Sequence, residues 1–263
     1  RCCSSAASDV YKRQTLRNIR SKLQKGEFTI GSWIQLESPS SAEIIGNSKY
    51  DWVAVDLEHG SISISQLPNI FRALELGNTL PLARISEGSP NNCKRALDSG
   101  ASGLIIPKIE NKKQLEFLIM SCKWPPDGFR GVGFSRANLY GENFVNYKEE
   151  ASQPLIVGMI ETKVGLENIK EILSVQGLDA ILIGPYDLSA SLGFTGEISH
   201  PKVEEAIDYI LNCCTKFNIP AGIHIVDPSV KEIKNKIQKG YRFIAYSIDT
   251  VFSVSYTHLR AHE

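Results

Sequence analysis

Four apolar stretches of this sequence each run out onto residues able to do chemistry. Trp52–Glu58 carries Asp56 and Glu58 at its end and leads into His59 and Gly60; Pro81–Ile85 carries Arg84. Leu155–Glu161 closes on Glu161, two residues after Met159, and Asp179–Gly184 leads into Pro185, Tyr186 and Asp187. A charge closing an apolar run must be paired, solvated or used. Asp56, three residues before His59, is spaced to orient the imidazole, and a histidine with an acid partner is the usual general base. The plain alternative is a histidine satisfied at a strand end. Arg84 suits an oxyanion, a carboxylate or enolate oxygen, or else a structural pair with Glu58. Glu161 and Asp187 offer two carboxylates of the kind that hold Mg2+ or Mn2+, with Co2+ tolerated, when water and substrate oxygens complete the shell. Each also has a bland use, Glu161 in a salt bridge and Asp187 as the cap of a helix starting near Leu188. No Cys/His cluster is spaced for a thiolate zinc site. His224, inside the apolar run Ala221–Ile225, reads as a core histidine, Trp124-Pro125-Pro126 as packing, and the cysteines as buried and inert.

Those stretches need a frame that gathers their ends. Eight β-type runs are present: Thr29–Leu36, Trp52–Glu58, Pro81–Ile85, Gly103–Pro107, Leu155–Glu161, Asp179–Gly184, Ala221–Ile225 and Arg242–Ile248. They are rich in Ile, Val and Leu without strict alternation, as parallel strands covered on both faces are. Helical stretches alternate with them: Ser41–Ser48, Ile64–Leu76, Pro90–Ser99, Lys112–Cys122, Leu166–Val175, Pro201–Phe217 and Pro228–Lys239, with Thr15–Lys25 ahead of the first strand. Several open on Ser-Pro, His-Pro or Asp-Pro and several stop at glycine. The pattern predicts an α/β fold, a (β/α)8 barrel, whose functional groups lie at the C-terminal strand ends. An open doubly wound sheet would more naturally show GxGxxG after its first strand, where this chain has Glu37-Ser38-Pro39-Ser40. Lys123–Glu150 is an irregular, Pro- and Gly-rich insertion, expected to be functional or an interface.

Lys+Arg and Asp+Glu each number 29 among 263 residues, and 42% of residues are apolar. The balance argues against a nucleic-acid or membrane-surface protein. No apolar stretch reaches membrane-spanning length, and six cysteines without a CxxC pair point to a reducing cytoplasm. Residues 1–14, RCCSSAASDVYKRQ, and 254–263, VSYTHLRAHE, resemble translated sequencing-adapter read-through; they are expected to be foreign tails flanking one domain, 15–253. That body carries 25 basic and 27 acidic residues. Only Thr250–Ser253 then follow the eighth strand, so the eighth helix is expected to be missing.

The ordered set Asp-Trp-Val-Ala-Val-Asp56-Leu-Glu58-His59, Ala-Arg84, Gly-Ala-Ser-Gly-Leu-Ile-Ile-Pro107, Arg130-Gly-Val-Gly133, Ile-Glu161-Thr and Ile-Gly-Pro-Tyr-Asp187-Leu-Ser resembles the class II pyruvate aldolases of the HpcH/HpaI family. The resemblance spans nearly all of 15–253. It implies a barrel of the phosphoenolpyruvate/pyruvate-binding type and cleavage of a 4-hydroxy-2-oxo acid to pyruvate and an aldehyde. Glu161 and Asp187 would be the metal ligands, Arg84 the contact to the keto oxygen, His59 held by Asp56 the base, and Glu58 a partner of waters on the metal. Amides of the turn Gly184, Pro185, Tyr186 and Asp187 would hold the pyruvate carboxylate. Met159 stands where some members have a substrate-holding Gln, and Tyr186 where some have Ala. The family assembles as homo-oligomers, hexamers that exchange the last helix, so a chain without it is expected to expose an apolar strip and to assemble weakly. Acyl-CoA lyases and a citrate-synthase-like sibling share the barrel and form the alternative reading.

Overall fold

The structure, a computed structural model, describes residues 3–258. Eight parallel strands close into a barrel in chain order: β1 (Thr29–Ile34), β2 (Trp52–Asp56), β3 (Leu80–Arg84), β4 (Gly103–Ile106), β5 (Leu155–Ile160), β6 (Ala180–Ile183), β7 (Ala221–Ile225) and β8 (Phe243–Ile248), with β8 pairing back onto β1. The expected (β/α)8 barrel is therefore present, and each predicted strand agrees to within two residues at either end.

Alternate strand residues face two different environments. Ile34, Val53, Val55, Ile181, Ile183, Ile223 and Ile225 join the layer between strands and helices. Trp33, Trp52, Ala54, Leu82, Val157, Leu182, Phe243 and Ala245 fill the barrel interior. There the Trp52 and Phe243 rings stack at 4.1 Å and 2°. That stack requires Gly31: a Cβ at this position would lie 2.1 Å from the Trp52 ring.

Helices α2 (Pro39–Gly46), α3 (Leu67–Leu76), α4 (Pro90–Asp98) and α5 (Lys112–Cys122) follow the first four strands. The insertion is more regular than expected. A 3-10 turn at Arg136–Gly141 precedes α6 (Phe144–Ser152), and Trp124, Tyr147 and Ala151 form a small separate core there. The predicted helix Leu166–Val175 is broken into α7 (Lys163–Glu167) and α8 (Ile169–Leu173) at Asn168, whose side chain donates to the Glu110 carbonyl. Then come α9 (Pro185–Ser191), α10 (Pro201–Phe217) and α11 (Val230–Lys239).

A helix runs at each end. Cys3–Gln24 form one helix, α1, with no break at residue 14. No glycine or proline occurs before Gly26, so a helix docked through Leu16, Ile19 and Leu23 propagates back along the chain. Those three side chains join the barrel-interior core, which places α1 across the N-terminal end of the barrel. Arg20 on Asp179 at 2.7 Å and Lys22 on Asp51 at 2.6 Å fasten it there. After β8 a helix, α12 (Asp249–His258), runs where four residues and a tail were expected. Asp249 starts it, accepting from the Gln35, Leu36 and Thr250 amides. Residues 1–2 and 259–263 of the expected tails lie outside the described residues. No described helix is long and apolar enough to cross a membrane.

Candidate active site

Inward-facing polar residues collect at the C-terminal end of the barrel. Asp56 and Arg84 are register partners on β2 and β3, so their side chains emerge side by side. Asp56 is fully buried and accepts from Arg84 Nε at 2.8 Å and Arg84 Nη2 at 2.6 Å, a bidentate pair. It also accepts from Gln35 Nε2 at 2.8 Å and from the Glu58 and His59 amides. Burial alone would raise the Asp56 pKa; the Arg84 bonds outweigh it and hold the carboxyl below its ordinary value. The guanidinium lies 4.6 Å from the centre of the Trp33 ring.

The expected Asp56–His59 dyad is not what the structure shows. Asp56 meets only the His59 backbone, and its carboxylate is spent on Arg84 and Gln35. The His59 side chain is 55% exposed at the rim, and its Nε2 lies 4.0 Å from Glu58 Oε2. Arg84 in turn reaches Glu58 only at 3.7 Å, so its structural pair is Asp56 rather than Glu58. Glu58 Oε2 is buried without a hydrogen-bond partner. Burial raises the Glu58 pKa, against the pull of Arg84, His59 and Lys108.

Glu161 follows β5 and is 2% exposed. Among the described residues it forms no ion pair, and its carboxylate accepts one hydrogen bond, from the Lys108 amide to Oε1 at 2.7 Å. Lys108 presents that amide from a left-handed backbone, φ 51°. Burial, with Glu58 and Asp187 adding negative charge nearby, pushes the Glu161 pKa up to about 7. Gly184, ending β6, lies against it: a Cβ there would fall 2.8 Å from Glu161 Oε2 and 3.5 Å from the Met159 methyl. Gly184 is the N-cap of α9 and Pro185 its first residue, so Asp187 stands inside the first turn instead of capping it. Asp187 and Tyr186 are exposed. Of the amides in this turn, Gly184 donates to the Ile160 carbonyl and proline has none, which leaves those of Tyr186 and Asp187 for a ligand.

This donor set fits a hard divalent cation. A buried, under-partnered Glu161 carboxylate and an orphaned Glu58 oxygen are each costly without positive charge, and Gly184 keeps a side chain from crowding Glu161. No group of three or more His, Cys, Asp or Glu is preassembled as a metal cluster among the described residues. Two protein carboxylates supplemented by small-molecule oxygens are the arrangement Mg2+ favours.

Several residues of this ring were not singled out from the sequence. Gln35, at the end of β1, was legible as a polar residue closing an apolar run. Trp33 and Ser247 carried no signal. His224, read as core, sits in the same inner ring, with its ring 5.7 Å from Trp33. Arg130 of the Arg-Gly-Val-Gly motif is used elsewhere, bonded to the Cys122 carbonyl and the Tyr147 hydroxyl. Cys93, Cys122, Cys213 and Cys214 are buried and free.

The sequence pattern of the HpcH/HpaI aldolase/citrate lyase family matches residues 29–255. The hydroxypyruvate/pyruvate aldolase of Roseobacter denitrificans is 33% identical over 237 residues, 89% of this chain and 91% of that one. The 5-keto-4-deoxy-D-glucarate aldolase of Escherichia coli K12 is 33% identical over 243 residues, 92% of this chain and 93% of its own. Among solved structures, an HpcH/HpaI aldolase/citrate lyase family protein from Burkholderia cenocepacia J2315 superposes with a TM-score of 0.88 at 30% identity, covering 93% of this chain and 98% of the other.

Proposed function

We propose, since this chain belongs to the HpcH/HpaI aldolase/citrate lyase family, that it is a divalent-metal-dependent aldolase interconverting a 4-hydroxy-2-oxo acid with a 2-oxo acid and an aldehyde. It is a carbon–carbon lyase. The observation that carries the finer reading is Glu161, a buried carboxylate with one amide partner, facing across the barrel mouth an arginine already clamped by Asp56. Glu161 and Asp187 would hold the cation, which supplies Lewis-acid stabilisation of charge on the 2-oxo oxygen.

The chain's own groups account for the remainder. Asp56 occupies Arg84 Nε and Nη2, which leaves Nη1 for the same oxo oxygen as it gains charge. The Tyr186 and Asp187 amides, at the start of α9, receive the substrate carboxylate. His59, exposed at the rim, takes the proton from the 4-hydroxyl as the C3–C4 bond breaks. The bonding pair passes to the enolate and the new carbonyl leaves as aldehyde. Protonation at C3 then completes the 2-oxo acid. Glu58, 4.0 Å from His59 Nε2, supports the imidazolium formed on the way. Asp56 is a positioning residue for Arg84, not for His59. Hydroxypyruvate, pyruvate and a keto-deoxy sugar acid, the compounds in the relatives' names, are the donor and substrate classes to try first.

The test is release of pyruvate or hydroxypyruvate from 4-hydroxy-2-oxo acids, coupled to a dehydrogenase, before and after chelation. Activity lost with EDTA, restored by Mg2+ or Mn2+, and depressed in His59→Asn is expected. Turnover that survives chelation would defeat the reading. Cleavage of CoA esters instead would move the chain to the lyase branch of the same family.

A further inference from the structure

The turn that follows β4 holds Glu161 and is itself held from two sides. Lys108, Ile109 and Glu110 lie between β4 and α5. The Lys108 amide donates to Glu161 Oε1 at 2.7 Å, and the next amide, that of Ile109, donates to the Met159 carbonyl at 3.1 Å. The turn thus continues the pairing of β4 with β5 past the strands and directs its first donor to the carboxylate. It does so with Lys108 in the left-handed region, φ 51°. A lysine, unlike glycine or asparagine, has no local reason to adopt that backbone, so its surroundings must impose it.

Two side-chain amides do this. Gln114, in the first turn of α5, donates from Nε2 to the Lys108 carbonyl at 3.0 Å and accepts at Oε1 from the Glu110 amide at 2.8 Å. One side chain thereby bridges both ends of the turn. Asn111 caps α5 by accepting from the Gln114 amide at 2.9 Å. In an ordinary capping box the third helical residue reaches back to the cap's own amide; here it reaches past the cap, to Glu110 and Lys108. From the other side Asn168 Nδ2 donates to the Glu110 carbonyl at 2.9 Å. Asn168 stands at the break between α7 and α8. One turn earlier Gly165 packs against the same segment: a Cβ there would lie 2.6 Å from the Ile109 carbonyl. All three amides of the turn are engaged, and only the first reaches the site.

We infer that Gln114 and Asn168 are positioning residues for Glu161. They hold the Lys108–Glu110 turn so that the Lys108 amide fixes Oε1 and leaves Oε2 as the oxygen open to a cation. This rests on Glu161 as a metal ligand, and it adds two side chains outside the barrel mouth to what sets metal affinity. Groups that orient a ligand govern affinity nearly as strongly as the ligand does. Neither residue touches Glu161 or the substrate. The plain alternative is that Gln114 only finishes the cap of α5 and Asn168 only ends α7. In that case their loss lowers stability and leaves metal affinity alone.

The test is Mn2+ binding, followed by electron paramagnetic resonance, with a melting curve for each protein. Gln114→Leu and Asn168→Ala are expected to weaken Mn2+ about tenfold. Gln114→Glu keeps an acceptor for the Glu110 amide but has no donor for the Lys108 carbonyl. It should weaken Mn2+ to a similar degree, and it carries the test if Gln114→Leu fails to fold. Ile119→Ala, which empties a buried position on α5 beside Gly177, is the control. It should melt early and bind Mn2+ as the unsubstituted protein does. Gln114 and Asn168 variants that bind within about twofold of the unsubstituted protein, while Glu161→Gln is weakened, would overturn the positioning role and leave the metal reading standing. An equal loss of affinity in Ile119→Ala would overturn it too, as an effect of stability alone. Mn2+ binding that is absent, or indifferent to Glu161→Gln, would remove the metal reading and the positioning role with it.

Discussion

Gly184→Ala isolates the fit between β6 and Glu161. The glycine has an ordinary negative φ of −98°, so alanine meets no backbone penalty there. As an N-cap, Ala is inferior to Gly only by an amount on the order of 0.5–1 kcal/mol. The cost is steric and local. The new Cβ would stand 2.8 Å from Glu161 Oε2 and 3.0 Å from Glu161 Cβ, against about 3.5 Å or more for comfortable contact. Relief requires the carboxylate to move by roughly 0.5–1 Å, because the Glu161 backbone follows directly on β5 and cannot back away, and that movement strains the bond from the Lys108 amide to Oε1. A displacement near 1 Å at a catalytic group costs on the order of 10²-fold. Disturbing the geometry of a metal ligand weakens metal binding by about 10–100-fold. Overpacking should lower stability by only about 1–3 kcal/mol. The assay is kcat/KM as a function of Mn2+ concentration, with a melting curve for each variant. Gly133→Ala, where a Cβ meets nothing within 4 Å, is the control and should match the unsubstituted protein. If Gly184→Ala keeps its metal dependence and rate within about twofold, Glu161 is not held where this reasoning requires.

Further consequences follow from the same contacts. Asp56→Ala strands the Arg84 charge, with only Glu58 at 3.7 Å to take it up; it should cost about 3–5 kcal/mol and lower the melting temperature by roughly 10 °C. Because the Asp56 pKa is depressed by folding, its contribution is present above the ordinary carboxylate range and lost as pH falls through the folded value, which a stability–pH curve of Asp56→Asn against the parent would reveal. His224 works in a different window. Its pKa falls from 6.5 to about 4 on folding, so the unfolded chain takes up the proton first. Stability should decline from about pH 6.5 down to about 4 by up to roughly 3 kcal/mol, and His224→Leu should flatten that limb in denaturant titrations. Gly31→Ala, with its Cβ driven into the Trp52 ring, should destabilise by about 3 kcal/mol or more without altering metal affinity in the protein that remains folded.

The barrel was legible because its strands are short Ile/Val/Leu runs covered on both faces, punctuated by Pro and Gly at helix ends. Glu161, Arg84 and Asp187 were legible because a charge closing such a run is conspicuous. Partner choice was not. Asp56 reads as the neighbour of His59 at three residues' distance, but barrel register sets it beside Arg84, 28 residues away, and a bidentate guanidinium outcompetes an imidazole at the rim. The role of Asp187 was likewise ambiguous until Gly184 took the cap position. Trp33, His224 and Ser247 stayed hidden for another reason. They lie inside runs of strand-forming residues, and the β8 bulge that turns the Ser247 carbonyl toward His224 has no sequence signature. Nor did the amino-terminal residues declare the helix that docked Leu16, Ile19 and Leu23 would extend back through them.

The most direct measurement is a Mn2+ titration, followed by electron paramagnetic resonance, of the unsubstituted protein, Glu161→Gln and Asp187→Asn. One tight site in the first, weakened by about 100-fold or more in both variants while their melting curves stay cooperative, is the predicted result. Equal Mn2+ affinity in all three would contradict the assignment of the Glu161–Asp187 pair as the metal-holding centre of this barrel.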